Sequence, residues 1–141
     1  MTINIRTRRK ARRLALQAFY QWLLTHDEMA AIEKQFLDDQ DLNTVDVLYF
    51  QRLLQAVPVQ VEKLDALMQP YLDRPLAEVN PIEKSILRMA ILELVEHLDI
   101  PYKVVINEAL ELAKTFGGTD SHKYINGILD PIARVIRVQE Q

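Results

Sequence analysis

The apolar positions of this chain recur at helical spacing over most of its length. The pattern is strongest at residues 82–98, where apolar side chains cover far more than one face of a helix. Asn80 predicts the N-cap, Pro81 the first helical position and Glu83 the third, from which a carboxylate can bond back to the cap. We therefore predict a helix here that neighbours cover on most sides.

Two further helices are predicted after it. Pro101 opens the first, because the residue before a proline is pushed to an extended conformation, and Gly117 and Gly118 end it. Asp120 predicts the cap of the last helix. Since a proline removes one backbone hydrogen bond without always ending a helix, we expect this helix to continue past Pro131 with a kink.

The first helix of the chain is predicted to bury one apolar row, with Trp22 widening its inner side. Lys10 and Arg13 fall on the opposite side and should face outward. The row consists of Leu16, Phe19, Tyr20 and Leu23.

The middle of the chain predicts a short surface helix with an acidic loop at residues 27–46, then a long helix at about 45–69 that Pro58 bends. Pro70 and Pro75 bracket a short connector. We take this connector as the boundary between two helical subdomains, about 1–70 and about 71–141, of one domain.

Composition supports an all-α fold, and we expect about seven helices. The 141 residues include only three glycines, with neither a hairpin signal nor a sustained alternating run. There is no cysteine, and no apolar run approaches the roughly 20 residues of a membrane span. Gln17 and Gln21 interrupt the first apolar run, which argues against a signal peptide. We expect a soluble, cytoplasmic protein.

The charge is unevenly distributed. The net charge is −3, but residues 1–13 hold six basic side chains and no acid, which leaves −9 on the remainder. A basic segment on an acidic body predicts a polyanionic partner that binds at one place. We call these residues the basic segment: Arg6, Arg8, Arg9, Lys10, Arg12 and Arg13.

Patterns that carry catalysis or metal binding are missing. No histidine has a second one at helical spacing, and Gly-rich phosphate loops are absent. Glu93, Glu96 and His97 lie within one helical turn, and we interpret them as a charged outer edge. The acidic residues at 38–41 lack calcium-loop spacing and indicate a solvated surface. We therefore expect neither an enzyme nor a cofactor.

Several sequence runs resemble the NusB family of transcription antitermination factors. The most specific are PYKVVINEALELAKTFGG at 101–118 and DSHKYINGILD at 120–130. IEKSILRMA at 82–90, DVLYF at 46–50 and the Arg-rich start extend the resemblance to nearly the whole chain.

The resemblance implies two packed three-helix bundles, no catalysis, and a role in bacterial ribosomal RNA transcription. Family members bind the boxA element of nascent RNA together with ribosomal protein S10 (NusE), and the pair joins other Nus factors on RNA polymerase. Some members form homodimers. Carried over by position, Tyr20 and Glu83 would bind S10. The RNA side would comprise Arg6, Arg8, Arg9, Lys10, Arg12, Arg13, Tyr71, Lys123 and Tyr124.

The residues alone indicate less. A basic segment with exposed aromatic side chains suits single-stranded RNA, where phosphates meet arginine and bases stack on rings. Without the resemblance, the structural interpretation is favoured: Tyr20 and Tyr124 as core edges, Lys123 as a solvated charge and Glu83 as only a capping acid. Two alternatives stay open: an RNA-binding helical domain related to that of RNA methyltransferases, and a protein adaptor that binds no RNA.

Overall fold

The computed structural model describes residues 4–141, and the regular structure within them is entirely helical. The all-α prediction is confirmed, with six α-helices where about seven helices were expected. Three short 3₁₀ turns, at Gln69–Tyr71, Leu76–Glu78 and Val138–Glu140, complete the described elements. The helices are α1 (Ile5–Thr25), α2 (Met29–Asp39), α3 (Val47–Met68), α4 (Pro81–Glu96), α5 (Tyr102–Phe116) and α6 (Ser121–Ile136).

The chain divides by packing into two compact units, one up to Val59 and one from Gln60 to Gln141. The division falls inside α3, before the connector at which the sequence placed its boundary. Helix α3 passes through Pro58, and α6 passes through Pro131, so both prolines lie within continuous helices.

In the first unit, α1 packs against α2, and α2 meets α3 through aromatic rings. Asn4 caps α1 because its side-chain oxygen accepts the N–H groups of residues 6 and 7 at 2.9 and 3.2 Å. The ring centroids of Phe36 and Phe50 are 6.1 Å apart, a distance at which aromatic pairs attract. The cap thus holds the start of α1, and α2 lies in contact with both α1 and α3.

The predicted apolar row of α1 is only partly buried. Leu16 and Phe19 lie in the core, but Tyr20 is 36% exposed and Trp22 is half-buried. The reason is that the buried stripe is centred on small residues, which let a neighbouring helix approach closely, and Tyr20 falls at the edge of this stripe. The fully buried small residues are Ala11, Ala15 and Ala18.

In the second unit, α4, α5 and α6 pack against one another. Helix α4 begins as predicted: the Asn80 side chain accepts the Glu83 N–H at 2.9 Å, and Pro81 is the first helical residue. Every residue from Ser85 to Leu94 is buried. The prediction that neighbours cover this helix on most sides is therefore confirmed.

The junction of α5 and α6 depends on Gly117. A Cβ atom there would lie 2.7 Å from the Ala113 carbonyl oxygen and 2.6 Å from the Ser121 side chain, so only glycine fits. Asp120 occupies the N-cap position of α6, as predicted, but its side chain makes no capping bond. Instead, the Ser121 hydroxyl accepts the Gly118 N–H at 2.9 Å and closes the turn.

The end of α4 is held by Arg137, which is only 3% exposed. Its guanidinium donates to four backbone carbonyls and to the Glu140 carboxylate. The carbonyls are those of Glu93 (3.2 Å), Leu94 (2.7 Å), His97 (3.0 Å) and Ile100 (2.9 Å). The Glu93 and His97 carbonyls also accept backbone N–H groups, from His97 and Ile100, each at 2.9 Å. The buried cation is therefore a second donor to these two carbonyls, and it also supplies a donor to the Leu94 carbonyl in the last turn of α4.

This arrangement corrects one interpretation of the sequence. Glu93 and His97 are buried, at 2% and 7% exposure, and only Glu96 belongs to an outer edge. Their polarity suggested a surface, but the last turn of α4 lies beneath the C-terminal residues that carry Arg137.

Among residues 4–141, no helix is long and apolar enough to cross a membrane. Within the same range, no group of three His, Cys, Asp or Glu side chains could hold a metal ion.

Candidate nucleic-acid interface

The basic segment is part of α1, because the Asn4 cap starts the helix at Ile5. Successive residues on a helix are about 100° apart, so the six basic side chains divide between two faces. Two turn inward and four are exposed. The exposed side chains are Arg6, Arg9, Lys10 and Arg13, and Lys10 and Arg13 therefore face outward as predicted.

Arg8 and Arg12 turn towards the ring of Tyr49 in α3. The guanidinium carbon of Arg8 lies 4.2 Å from the ring centroid and that of Arg12 lies 5.4 Å from it, distances typical of cation–π contacts. Arg8 also approaches the Asp46 carboxylate at 3.7 Å. Arg12 is 4% exposed, so the structure does not present it to a ligand. These two arginines hold α1 against α3.

The exposed basic side chains border a concave site of about 440 Å³. We call it the basic groove. One wall is the start of α1, and the other consists of Asn43 and Thr44 from the loop between α2 and α3. Lys10 links the walls, since its ammonium donates to the Thr44 hydroxyl at 2.8 Å. The α1 wall is formed by Asn4, Arg6, Thr7, Arg9, Lys10 and Arg13.

Backbone hydrogen bonds fix the loop wall of the groove. The Asp46 N–H donates to the Thr7 carbonyl at 3.1 Å, which ties the loop to α1. The Asn43 N–H donates to the Asp41 carboxylate at 3.0 Å, a turn that such side chains favour. The groove is therefore formed before any ligand binds. No sequence pattern predicted this second wall, because the wall depends on which loop approaches α1.

The second unit holds the other predicted RNA residues. Tyr71 is 39% exposed and ends a 3₁₀ turn that packs against α6. Tyr124 is half-buried, with the Arg74 guanidinium carbon 4.6 Å from its ring centroid. Lys123 is exposed and approaches Asp120 at 3.6 Å. The fold thus brings the Tyr71 turn and the start of α6 to one surface of this unit.

Charge pairing and burial shift the pKa values of two side chains on this surface. Arg74 donates to both carboxylate oxygens of Asp73, at 2.7 and 3.0 Å, and this pairing lowers the pKa of Asp73. Burial raises the pKa of the Tyr124 hydroxyl, whose oxygen atom is shielded from solvent. Arg74 was missed from the sequence, although its position in the proline-bracketed connector was a usable signal.

The residues predicted to bind a protein partner lie in different units. Tyr20 is on α1 and is partly exposed. Glu83 lies in the first turn of α4 and is 7% exposed, so only a small part of its carboxylate can meet a partner.

Sequence comparison decides the family. The model of the NusB family matches residues 9–134, most of the chain. The chain belongs to the NusB family. Two NusB relatives, each named a transcription antitermination protein, support this assignment. One, from Klebsiella pneumoniae, is 54% identical over 134 residues, covering 95% of this chain and 96% of the relative. The other, from Escherichia fergusonii, is 55% identical over 130 residues, covering 92% and 94%.

Solved structures agree with the NusB fold. NusB from T. maritima aligns with a TM-score of 0.79 at 31% identity, covering 95% of this chain and 93% of that one. A structure of NusB and NusE in complex with dsRNA aligns with a TM-score of 0.84, covering 94% and 99%. Its sequence identity is 21%, so this second likeness supports the fold alone.

Proposed function

We propose that this protein is a bacterial transcription antitermination factor that binds the boxA element of nascent ribosomal RNA together with ribosomal protein S10 (NusE). The observation that carries the proposal is the preformed basic groove in a chain of the NusB family. Close relatives are named transcription antitermination proteins, and one NusB of the same fold has been solved with NusE and RNA.

The groove suits the phosphates of a single strand. Arg6, Arg9, Lys10 and Arg13 would neutralise phosphates, while Arg8 and Arg12 position the helix that presents them. This assignment accounts for all six members of the basic segment, with a different task for each face of α1.

The surface of the second unit suits a base. The exposed ring of Tyr71 offers a stacking platform, and Lys123 supplies a positive charge. The Tyr124 hydroxyl oxygen is buried, so Tyr124 contributes its ring and not a hydrogen bond to RNA. Arg74 joins the set, since it covers the Tyr124 ring.

For S10, Tyr20 supplies an exposed ring and Glu83 a partly accessible negative charge.

The substitution Glu83→Gln removes this negative charge but keeps a residue that serves the third helical position. We expect weaker S10 binding in calorimetry with an unchanged melting temperature. Equal loss of binding and stability would instead give Glu83 a structural role.

The proposed assembly acts in the cytoplasm, where bacterial transcription takes place, and includes other Nus factors and RNA polymerase. This protein's own role in the assembly is regulatory and non-catalytic, and two copies could form a homodimer, as some family members do.

A titration tests the proposal. The full chain is added to labelled single-stranded boxA RNA at two salt concentrations, with and without S10, beside a scrambled strand and a boxA duplex. We expect tightest binding to the single strand with S10, weakening as salt rises. If the scrambled strand binds equally well, the claim that the protein is specific for boxA is wrong. If no RNA binds at all, the alternative of a protein adaptor without RNA binding is favoured. Methyl transfer to the RNA would favour the methyltransferase alternative.

A further inference from the structure

The two walls of the basic groove differ in charge. The α1 wall carries four cationic side chains beside the neutral Asn4 and Thr7, whereas the loop wall, formed by Asn43 and Thr44, carries no charge. A phosphate has only acceptor oxygens at neutral pH, and the cationic wall already supplies donors for it. An amide and a hydroxyl each donate and accept. The loop wall therefore matches a ligand group that also does both.

The contact between Lys10 and Thr44 limits where the Thr44 hydroxyl can donate its own hydrogen. The Thr44 oxygen accepts the Lys10 ammonium at 2.8 Å, so its own hydrogen points to a different acceptor. Asn43 lies beside it on a loop held by Asp41 and Thr7. Because the wall is already ordered, little entropy is lost when a ligand meets it.

The size of the groove limits the ligand. Its volume of about 440 Å³ lies in the lower part of the range for small-molecule sites, roughly 300 to 1,000 Å³. One nucleotide of a strand fits this space better than a folded duplex does. With its phosphate on the cationic wall, the nucleotide turns its sugar towards the loop.

We propose that Asn43 and Thr44 recognise the ribose 2′-hydroxyl of a nucleotide whose phosphate lies on Arg6, Lys10 and Arg13. The 2′-hydroxyl donates and accepts, and it is the group that distinguishes RNA from DNA. The loop between α2 and α3 is then the part of the groove that selects RNA. This inference rests on the proposed function and adds a specificity determinant to it.

The test compares two strands of identical sequence, one with ribose and one with deoxyribose, both keeping uracil so that only the 2′ group differs. Affinities of the full-length protein and of its Asn43→Ala/Thr44→Val variant are measured by fluorescence anisotropy. We expect the preference for RNA over DNA to fall roughly 5- to 20-fold in the variant. The salt dependence of RNA binding should not change, because no charge is removed. An unchanged preference would overturn the inference.

Three further variants make the result specific. Thr44→Ser keeps the hydroxyl and should retain the preference. Thr25→Val, at the far end of α1, should leave affinity and preference unaltered. Arg13→Gln should weaken RNA and DNA equally and lower the salt slope by about 0.7. No effect of Arg13→Gln would count against RNA binding in the groove itself, whereas failure of the loop variant alone would remove only the 2′-hydroxyl contact.

Discussion

At the scale of single residues, Arg137 shows how much of the second unit depends on one buried side chain. A guanidinium carries five N–H groups, and here each has an acceptor: four backbone carbonyls and the Glu140 carboxylate. Its charge is offset by the aligned carbonyl dipoles at the end of α4. Lysine has three donors and no planar fork, so it cannot replace this set.

Arg137→Lys should therefore lower the free energy of unfolding by about 3 kcal/mol or more, because buried carbonyls lose their donors. Urea unfolding measures the loss. Arg134→Gln is the matched control, since Arg134 is exposed and pairs only with Asp130 one turn away. That pair is worth about 0.5 kcal/mol or less. Equal effects of the two substitutions would show that Arg137 acts as an ordinary surface charge.

Glu140 gives this cluster a pH dependence. The Tyr102 N–H donates to its carboxylate at 3.0 Å and, with Arg137, lowers the pKa of Glu140 below its ordinary value of 4.5. A carboxylate with a depressed pKa in the folded state stabilises the protein fully above the unfolded value and ceases to do so as the pH falls through the folded value.

We therefore expect the stability difference between the unmodified chain and Glu140→Gln to be greatest at neutral pH and to shrink below pH 4.5. Chemical denaturation at a series of pH values measures it. A difference that stays constant across the series would mean that proton binding at Glu140 is not linked to folding.

At the scale of elements, α1 combines two tasks on one helix. Its outer face carries the exposed cations of the basic groove, and its inner face holds α3 through Arg8, Arg12 and Tyr49. Deleting residues 1–10 would remove the Asn4 cap and Arg8 along with most of the outer cations. Such a deletion would leave Arg13 in place and would confuse lost packing with lost binding, so point substitutions on the outer face are more specific.

Replacing glycine by alanine should have opposite effects on stability at Gly117, directly after α5, and at Gly127, inside α6. Gly117→Ala places a Cβ against backbone and should destabilise by about 1 to 3 kcal/mol. Gly127 lies inside α6 with open space around it, so Gly127→Ala should stabilise by about 0.5 to 1 kcal/mol. Thermal unfolding of both variants checks this. Destabilisation by both would show that Gly127 has a packing role not visible in its surroundings.

Local sequence signals predicted the helices of this fold. They did not predict which polar residues are buried or which loop lines the groove, because both depend on contacts between distant parts of the chain. Proline, glycine and Asn80 predicted the limits of α4 and α5 because caps and turns act over three or four residues. The burial of Arg12, Glu93 and Arg137 could not be predicted, since each depends on partners from other parts of the chain. The loop wall of the groove escaped prediction for the same reason.

At the scale of the whole molecule, the charge pattern limits where a polyanion can bind. The charged side chains among residues 1–13 are all basic, while the remainder of the chain carries −9. An acidic body repels RNA and a basic groove attracts it, so binding at the groove should depend on a few phosphates. With Arg8 and Arg12 turned inward, four cations remain to meet them.

The central claim is that the outer cations of α1 meet RNA phosphates, and the salt dependence of binding tests it most directly. The affinity of the full chain for single-stranded boxA RNA is measured over a series of salt concentrations, beside Arg6→Gln/Arg13→Gln and Lys114→Gln/Arg134→Gln. The second pair is exposed in the other unit and changes the net charge equally. We expect a slope of log affinity against log salt of roughly −2 to −3 for the full chain and for the control pair. For Arg6→Gln/Arg13→Gln the slope should shrink by about 1.4 with an unchanged melting temperature. Two results would contradict RNA binding in the basic groove. One is the same slope for all three proteins, and the other is a slope that shrinks as much in the control pair as in Arg6→Gln/Arg13→Gln.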